Sequence, residues 1–593
     1  MRYFSCNKKL RDMKNIFLSF LVLGTMMMSC QDAFTDLEPL DEITDATFYS
    51  TPAHFELASN HLYDGMLGWG ADGEFRDYGS DLVSIPQIYT QGNVVVPETD
   101  ALWNEGYDDL RDVNMLIESA AEYTGDASEI APYVGTAHFF RAYEYFTLLQ
   151  RFGGVPLITT VISSASPDEV FETPRSSRYE VIGLILSDLD EAIANCPPSV
   201  GESDLGKITS MAAKAYKAKV LLYEATWEKY VGTDTDGDGS TTGAGSSKPA
   251  NYPTVEAMLA DAIDLSKDVM VNGGYELWNH DFPEINSNFF LHQLEDGGSN
   301  PLGLDKSTNK EFIIQKVYDY NLGFGDLNFA TTESRMAPNR KSMDMFLCTD
   351  GLPISKSPRF QGYNTMWDEL QNRDNRMVAY FYNVPENGSP VLNVGPSDSG
   401  AGIGIRNRKF RSWNGYRPNE RQAQNYSILR LAEVYLTYAE AIYELRGSIT
   451  DAELDESINL TRARAGIDPL SNNLATTYDL DILEEIRRER ALELYCENTR
   501  IHDLKRWGIA DEVFAEEIYG AVIEGTVYDG DESLYLPSIY PFGEKTITVG
   551  NGESRRVVVR DGASNRRFTM AHYLAPIPIS QISLTGVLQN PGY

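Results

Sequence analysis

Basic residues are scarce in this chain. Its 593 residues hold 87 aspartates and glutamates against 50 lysines and arginines, a formal net charge of −37. Binding to a phosphate backbone runs on Lys and Arg, and so does attraction to anionic lipid. Nucleic acid and a polybasic membrane patch are therefore excluded as partners. Cysteine is also rare. Cys6, Cys30, Cys196, Cys348 and Cys496 are too widely spaced for a disulfide framework or a zinc site. The last three are expected to be buried or partly buried thiols. The seven histidines are scattered. No H-E-x-x-H, G-x-S-x-G or G-x-x-x-x-G-K-[ST] occurs. The glycines of GAGIG (400–404) have no strand–turn–helix context and are expected to be loop. No run of 18 apolar residues exists, so no membrane-spanning helix is expected.

The one sustained apolar run is short. It goes from Ile16 to Met28, interrupted by Ser19, Gly24 and Thr25, and Lys14 precedes it. Spanning a bilayer takes about 20 residues, whereas the h-region of a secretory signal takes 7–15. Residues 1–29 are therefore expected to be a signal peptide, with Met13 as its true start. The run ends Met27-Met28-Ser29-Cys30, which resembles a bacterial lipobox with Met27 in the usual leucine position. The implied product carries lipid on Cys30. Removing the leader takes away five basic residues and one acid, so the remaining chain is more acidic still.

Aromatic residues are abundant: 34 Tyr, 25 Phe and 7 Trp. Many fall on amphipathic helical stripes. Helices are expected at 52–66, 103–122, 135–154, 178–195, 210–227, 254–271, 426–447, 451–464 and 479–506. Apolar residues recur at helical spacing in 103–122 (Leu110, Val113, Leu116, Ile117, Ala120) and in 135–154 (Phe139, Ala142, Tyr143, Phe146, Leu149). Gly153-Gly154 and Pro197-Pro198 supply stops. Paired helices of 34–40 residues, with small residues alternating with Tyr and Leu, predict a mostly α, tetratricopeptide-like superhelix of helical hairpins. Residues 272–425 are rich in Gly, Asn and Pro, with bursts such as EFIIQKVY (311–318). They are expected to form a loop-rich insertion with a few short strands. In 520–572, a hairpin is expected between 547–549 and 557–559. The domain division that follows is 1–29, 30–271, 272–425 and 426–593.

Function tends to sit on loops held by a rigid scaffold. Tyr and Trp pair an apolar face with a polar tip, which suits stacking on sugar rings. Three regions qualify. GWGADGEFRDYGSDL (68–82) with Ile88-Tyr89 offers Trp69, Asp72, Arg76, Asp81 and Tyr89. The insertion offers Trp278, Tyr318, Tyr320, Phe324 and Trp367. RSWNGYRPNER (411–421) offers Trp413, Asn414, Tyr416 and Arg417. Trp103 and Trp227 lie on amphipathic helices and are expected in the core, and Trp507 is expected to be structural. Asp234, Asp236 and Asp238, followed by Gly239, match the first half of a calcium loop. Position 12 is Gly245 instead of Glu, so a bound Ca2+ would be structural and completed by a carboxylate elsewhere. Arg487, Arg488, Glu489, Arg490 and Glu493 are helical neighbours, expected to form a solvated ion-pair face and not a catalytic set.

Four stretches then carry a family resemblance: AHFFRAYEYFTLLQRFGGVPL (137–157), ILRLAEVYLTYAEAIYE (428–444) with INLTRARAGI (458–467), ILEEIRRERALELYCENTRIHDLKRWG (482–508), and HYLAPIPISQISLTGVLQNPGY (572–593). With the lipobox, they resemble the SusD/RagB family of Bacteroidetes outer-membrane lipoproteins. The resemblance implies a tetratricopeptide-type scaffold on the outer face of the outer membrane, tethered through Cys30. QDAFTD (31–36) is similar to the short export signal of such lipoproteins. It implies a SusC-like TonB-dependent barrel as partner, over which the chain sits as a lid, and a glycan as ligand. No cofactor and no enzymatic activity are implied. Three competing readings follow: a RagB-like, peptide-binding lid; a surface glycosidase built on one pair among the many acids; and a pure scaffold.

Overall fold

The computed structural model describes residues 48–70, 77–162, 166, 173–232, 248–280, 286–325, 327–328, 334–382 and 405–593. Cys30, Asp72, Arg76, Asp234, Asp236, Asp238 and 400–404 lie outside them.

Helices α1 (Pro52–His61), α2 (Ala101–Glu122), α3 (Ala127–Phe152), α4 (Arg178–Asn195), α5 (Ser210–Tyr230) and α6 (Val255–Asn272) form the N-terminal frame. Local chemistry starts them. Asp100, Asp126, Thr209 and Thr254 each accept a backbone N–H of the first turn, and Ser177 and Glu180 form a capping box on α4. Gly153, at φ 77°, ends α3 where a side chain would be strained. The helices pack as antiparallel hairpins, α3 on α2 and α4, α5 on α6. Their shared core includes Phe139, Phe140, Phe146, Leu149, Tyr216, Trp103 and Trp227. Trp103, Trp227 and Trp507 are buried, as expected. So are Cys196, Cys348 and Cys496, all free thiols.

The chain then turns to short elements. β1 (Phe312–Lys316) pairs antiparallel with β4 (Tyr426–Arg430), and β2 (Phe381–Tyr382) with β3 (Arg406–Asn407). Residues 426–430 had been expected to open a helix. Pairing with the FIIQK strand overrides their local preference, and the helix α7 (Leu431–Arg446) begins directly after it. Helices α8 (Asp451–Asp455), α9 (Ile458–Arg464), α10 (Asn472–Tyr478), α11 (Ile482–Glu493), α12 (Arg500–Arg506) and α13 (Ala510–Ala515) follow. The expected single helix over 479–506 is thus broken at 494–499. Cys496 and Asn498 there take positive φ, 58° and 62°. The carboxylate of Asp77 accepts the N–H groups of Thr499 and Ile501, satisfying donors that begin α12. That cap comes from more than 400 residues away, so the local sequence gives no sign of it. A final sheet, in the order β5 (Ile518–Val522), β7 (Ser554–Asp561), β6 (Glu544–Thr548), contains the expected hairpin, with Ile547 opposite Arg555.

The expected solvated ion-pair face also fails. Glu489, Arg490 and Glu493 are not solvated: their exposures are 1%, 4% and 0%. Glu489 and Glu493 lie in a buried ionic core where Arg376, Arg430, Arg464 and Lys409 meet Asp374, Glu489, Glu493, Glu497 and Glu311, and Arg490 pairs with Glu433 and Asp503. Arg430 reaches Glu493 and Glu311 at 2.7 Å each, and Arg376 reaches Glu493 at 2.8 Å. Burial pushes the Glu493 carboxyl up, but Arg464, Arg430 and Arg376 outweigh it and hold the group well below the usual carboxylate range. Spacing along α11 showed which charges share a face. It did not show that β1, β4 and α9 would close over that face.

Candidate functional site

The insertion raises one exposed ridge. Residues 319–323 form a tight loop in which Asp319 and Gly323 exchange backbone hydrogen bonds at 2.9 Å. The Asp319 side chain accepts the N–H groups of Asn321 and Leu322. The loop therefore stands out: Leu322 is 92% exposed and Phe324 41%. Gly325 N–H anchors it to the Gln422 carbonyl at 2.7 Å, and Lys306 grips the carbonyls of Tyr318 and Ala423. Opposite this loop, Asn414 and Gly415 take positive φ and turn the chain through Trp413 to Tyr416.

Arginines join the two loops. The Arg417 guanidinium lies 4.0 Å from the Tyr320 ring centre and 4.5 Å from that of Tyr416. Arg421 lies 5.0 Å from the ring centre of Phe324. Arg417 is held by Glu295 at 2.6 Å and Asp296 at 3.2 Å, and the Tyr416 hydroxyl donates to Asp296. Burial together with that hydrogen bond raises the Tyr416 hydroxyl to about 12, so it stays protonated at neutral pH. Trp413, half-buried, packs edge-on to Phe290 at 5.9 Å. The product is a run of aromatic faces, interleaved with guanidinium donors and backed by carboxylates. Such a surface stacks on apolar ring faces and hydrogen-bonds ring substituents.

The structure sorts the expected ligand residues. It gathers Tyr320, Tyr416 and Trp413 in this part of the fold, with Phe324 and Arg417. Trp69 does not join them. It is 7% exposed, donates from Nε1 to the Gln424 carbonyl at 2.7 Å and packs edge-on against Tyr426. Asp81 is 5% exposed and paired with Arg500 at 2.8 Å and Lys341 at 3.1 Å. Burial raises its carboxyl, but those two cations bring it well below the usual range. Both had seemed accessible because they sit in a Gly-rich stretch, and both are occupied in packing. The Tyr318 hydroxyl accepts the Trp69 N–H at 2.9 Å and ties that loop to β1. Trp367 lies on the helical turn Met366–Leu370 and packs its half-buried ring against the second core. Tyr89 donates to the His572 carbonyl and meets Lys505. Glu295 and Asp296, which hold Arg417, were missed. They lie some 120 residues upstream in a Gly-rich loop, and nothing local marks them. Among the described residues, no group of three His, Cys, Asp or Glu is placed to hold a metal ion, and no helix is long and apolar enough to cross a membrane.

Comparison with known proteins places this architecture. The model of the SusD family matches residues 330–593, and a second, described as starch-binding associating with outer membrane, matches 77–222. The chain belongs to the SusD/RagB family. A SusD-like protein of Bacteroides ovatus is 25% identical over 84% of this chain and 83% of its own length. SusD-like protein P38 of Formosa agariphila is 30% identical over 37% of this chain, and the chain spans 44% of that relative. A solved SusD-like carbohydrate-binding protein of Bacteroides fragilis superposes with a TM-score of 0.65, covering 91% of this chain and all of its own, at 21% identity. That last likeness shows the shared fold, a helical SusD-like frame carrying few short strands.

Proposed function

We propose that this SusD-family chain is a cell-surface glycan-binding lipoprotein. It captures oligosaccharide on the Tyr320–Phe324–Tyr416 ridge and delivers it to a SusC-like TonB-dependent transporter, with Cys30 as its lipid anchor. The ridge carries the proposal: Phe324 is exposed and Tyr320 and Tyr416 are half-buried, with arginines over their rings and Arg417 fixed by Glu295 and Asp296. The name of the Bacteroides fragilis neighbour as carbohydrate-binding, and the starch-binding description of the model matching 77–222, support the ligand class. The acidic composition fits a neutral or polar ligand better than a polyanion. The role involves binding and hand-over, with no bond broken.

Affinity electrophoresis through gels containing a panel of polysaccharides tests the capture step, with a peptide panel measured in parallel. Retardation by one glycan class, abolished in Tyr320→Ala, is expected. Binding to peptides alone, abolished in Tyr320→Ala, would replace this reading with the peptide-binding one. Co-purification with a TonB-dependent barrel from outer membranes, lost in Cys30→Ser, tests delivery and anchorage.

A further inference from the structure

A cavity of about 650 Å³ lies between α2, α3 and the α11–α12 break, roofed by residues 64–69. Its lining changes sign along α3. Glu144, Thr147 and Arg151 all face it, at spacings of three and four residues that share one helix face. Glu144 and Arg151 are separated by two turns, about 10 Å. Antiparallel α2 is acidic throughout this stretch. Asp109 stands beside Glu144, while Asp100, just before α2, pairs with Arg151 at 2.7 Å. Glu105, Asp108 and Asp64 complete the acidic end.

Two buried groups at opposite ends lack the partners that burial demands. Glu144 is 6% exposed, and its Oε1 has no hydrogen-bond partner. Lys505 is 2% exposed and meets the Tyr89 hydroxyl, with no carboxylate paired to it among the described residues. Gly65 keeps the acidic end open. A Cβ there would lie 2.6 Å from Asp109 Oδ2 and 3.3 Å from Glu144 Oε1.

We propose that this cavity is a second ligand site, taking a small zwitterion with its carboxylate on Lys505 and its ammonium group between Glu144 and Asp109. Without a ligand, burial and the neighbouring Asp109 and Glu105 push the Glu144 carboxyl well above its ordinary range, and burial beside Arg151 brings the Lys505 amine down to about 7. A zwitterion supplies each with the opposite charge. None of the ridge residues Tyr320, Phe324, Tyr416 and Arg417 lines this cavity.

Calorimetric titration of the full chain with L-alanyl-L-alanine tests this, with N-acetyl-L-alanine as the anion-only probe and L-alaninamide as the cation-only probe. Saturable binding of the dipeptide is expected, with each half-probe at least tenfold weaker. Lys505→Met and Glu144→Gln, each checked for a native melting transition, are each expected to weaken dipeptide binding at least tenfold. Tyr320→Ala is expected to leave it unchanged. No saturable dipeptide binding, a half-probe as tight as the dipeptide, or undiminished binding in whichever variant folds would overturn the proposal.

Discussion

Two arginine clusters in this molecule use the same side chain for opposite ends. In the ionic core, Arg376, Arg430 and Arg464 are almost fully buried, and carboxylates surround them. On the ridge, Arg417 and Arg421 lie over aromatic rings at the surface. In the core, the guanidinium fork meets carboxylate pairs and knots β1, β4, α9 and α11 together. Its worth is the cost of breaking it, because a buried charge left without its partner is expensive. On the ridge, Glu295 and Asp296 hold the Arg417 guanidinium while its plane spaces aromatic faces. In these two clusters, carboxylates surround the arginines of the core, whereas rings and carboxylates together surround Arg417.

The comparison breaks most severely at Glu493. Glu493→Ala leaves three guanidinium groups without a shared carboxylate, and a loss of about 3–5 kcal/mol is expected, read from urea denaturation. A loss below about 1 kcal/mol would mean that solvent already reaches the cluster. Lys505 sharpens the contrast as a buried cation with no carboxylate paired to it among the described residues. Its amine falls from an ordinary 10.5 to about 7, through burial and the nearby Arg151. A depressed folded-state value contributes stability that is full above pH 10.5 and is lost as pH falls to about 7. Lys505→Met should therefore melt higher than wild type at pH 7, by several degrees, with the gap closing toward pH 10. A constant gap across that range would contradict the linkage. On the ridge, Arg417→Ala is expected to weaken glycan binding about tenfold, on the scale of one lost cation–π and hydrogen-bonding group, with little effect on melting. The smallest expected effect is that of salt. Binding of a neutral glycan should change less than about twofold between low and 0.5 M salt, because stacking is not screened as exposed charge pairs are. A steep salt dependence would show that the arginines act as charges and not as spacers.

Much of the frame was legible in the sequence, because α2 to α7 each carry an apolar stripe and a local cap or stop. What was not legible depends on contacts across the chain. The strand at 426–430 exists because 312–316 pairs with it. The break at 494–499 is capped by Asp77. The burial of Glu489 and Glu493 depends on elements remote in sequence. The ridge was half legible. Tyr320, Phe324, Tyr416 and Arg417 stood out as aromatics and cations in Gly- and Asn-rich loops. The same criterion also selected Trp69, whose ring is buried by Tyr426 and Phe410. Loop composition predicts an irregular backbone. It does not predict on which side of that backbone a ring will lie.

The central claim is that the ridge captures glycan. It is tested most directly by calorimetric titration of wild type and the Tyr320→Ala/Tyr416→Ala double variant with the oligosaccharide class that retards the protein in the polysaccharide gels. The account predicts saturable binding by wild type and loss of detectable binding in a double variant that melts at the wild-type temperature. Equal affinity in the two proteins would place glycan capture elsewhere on the molecule and contradict it.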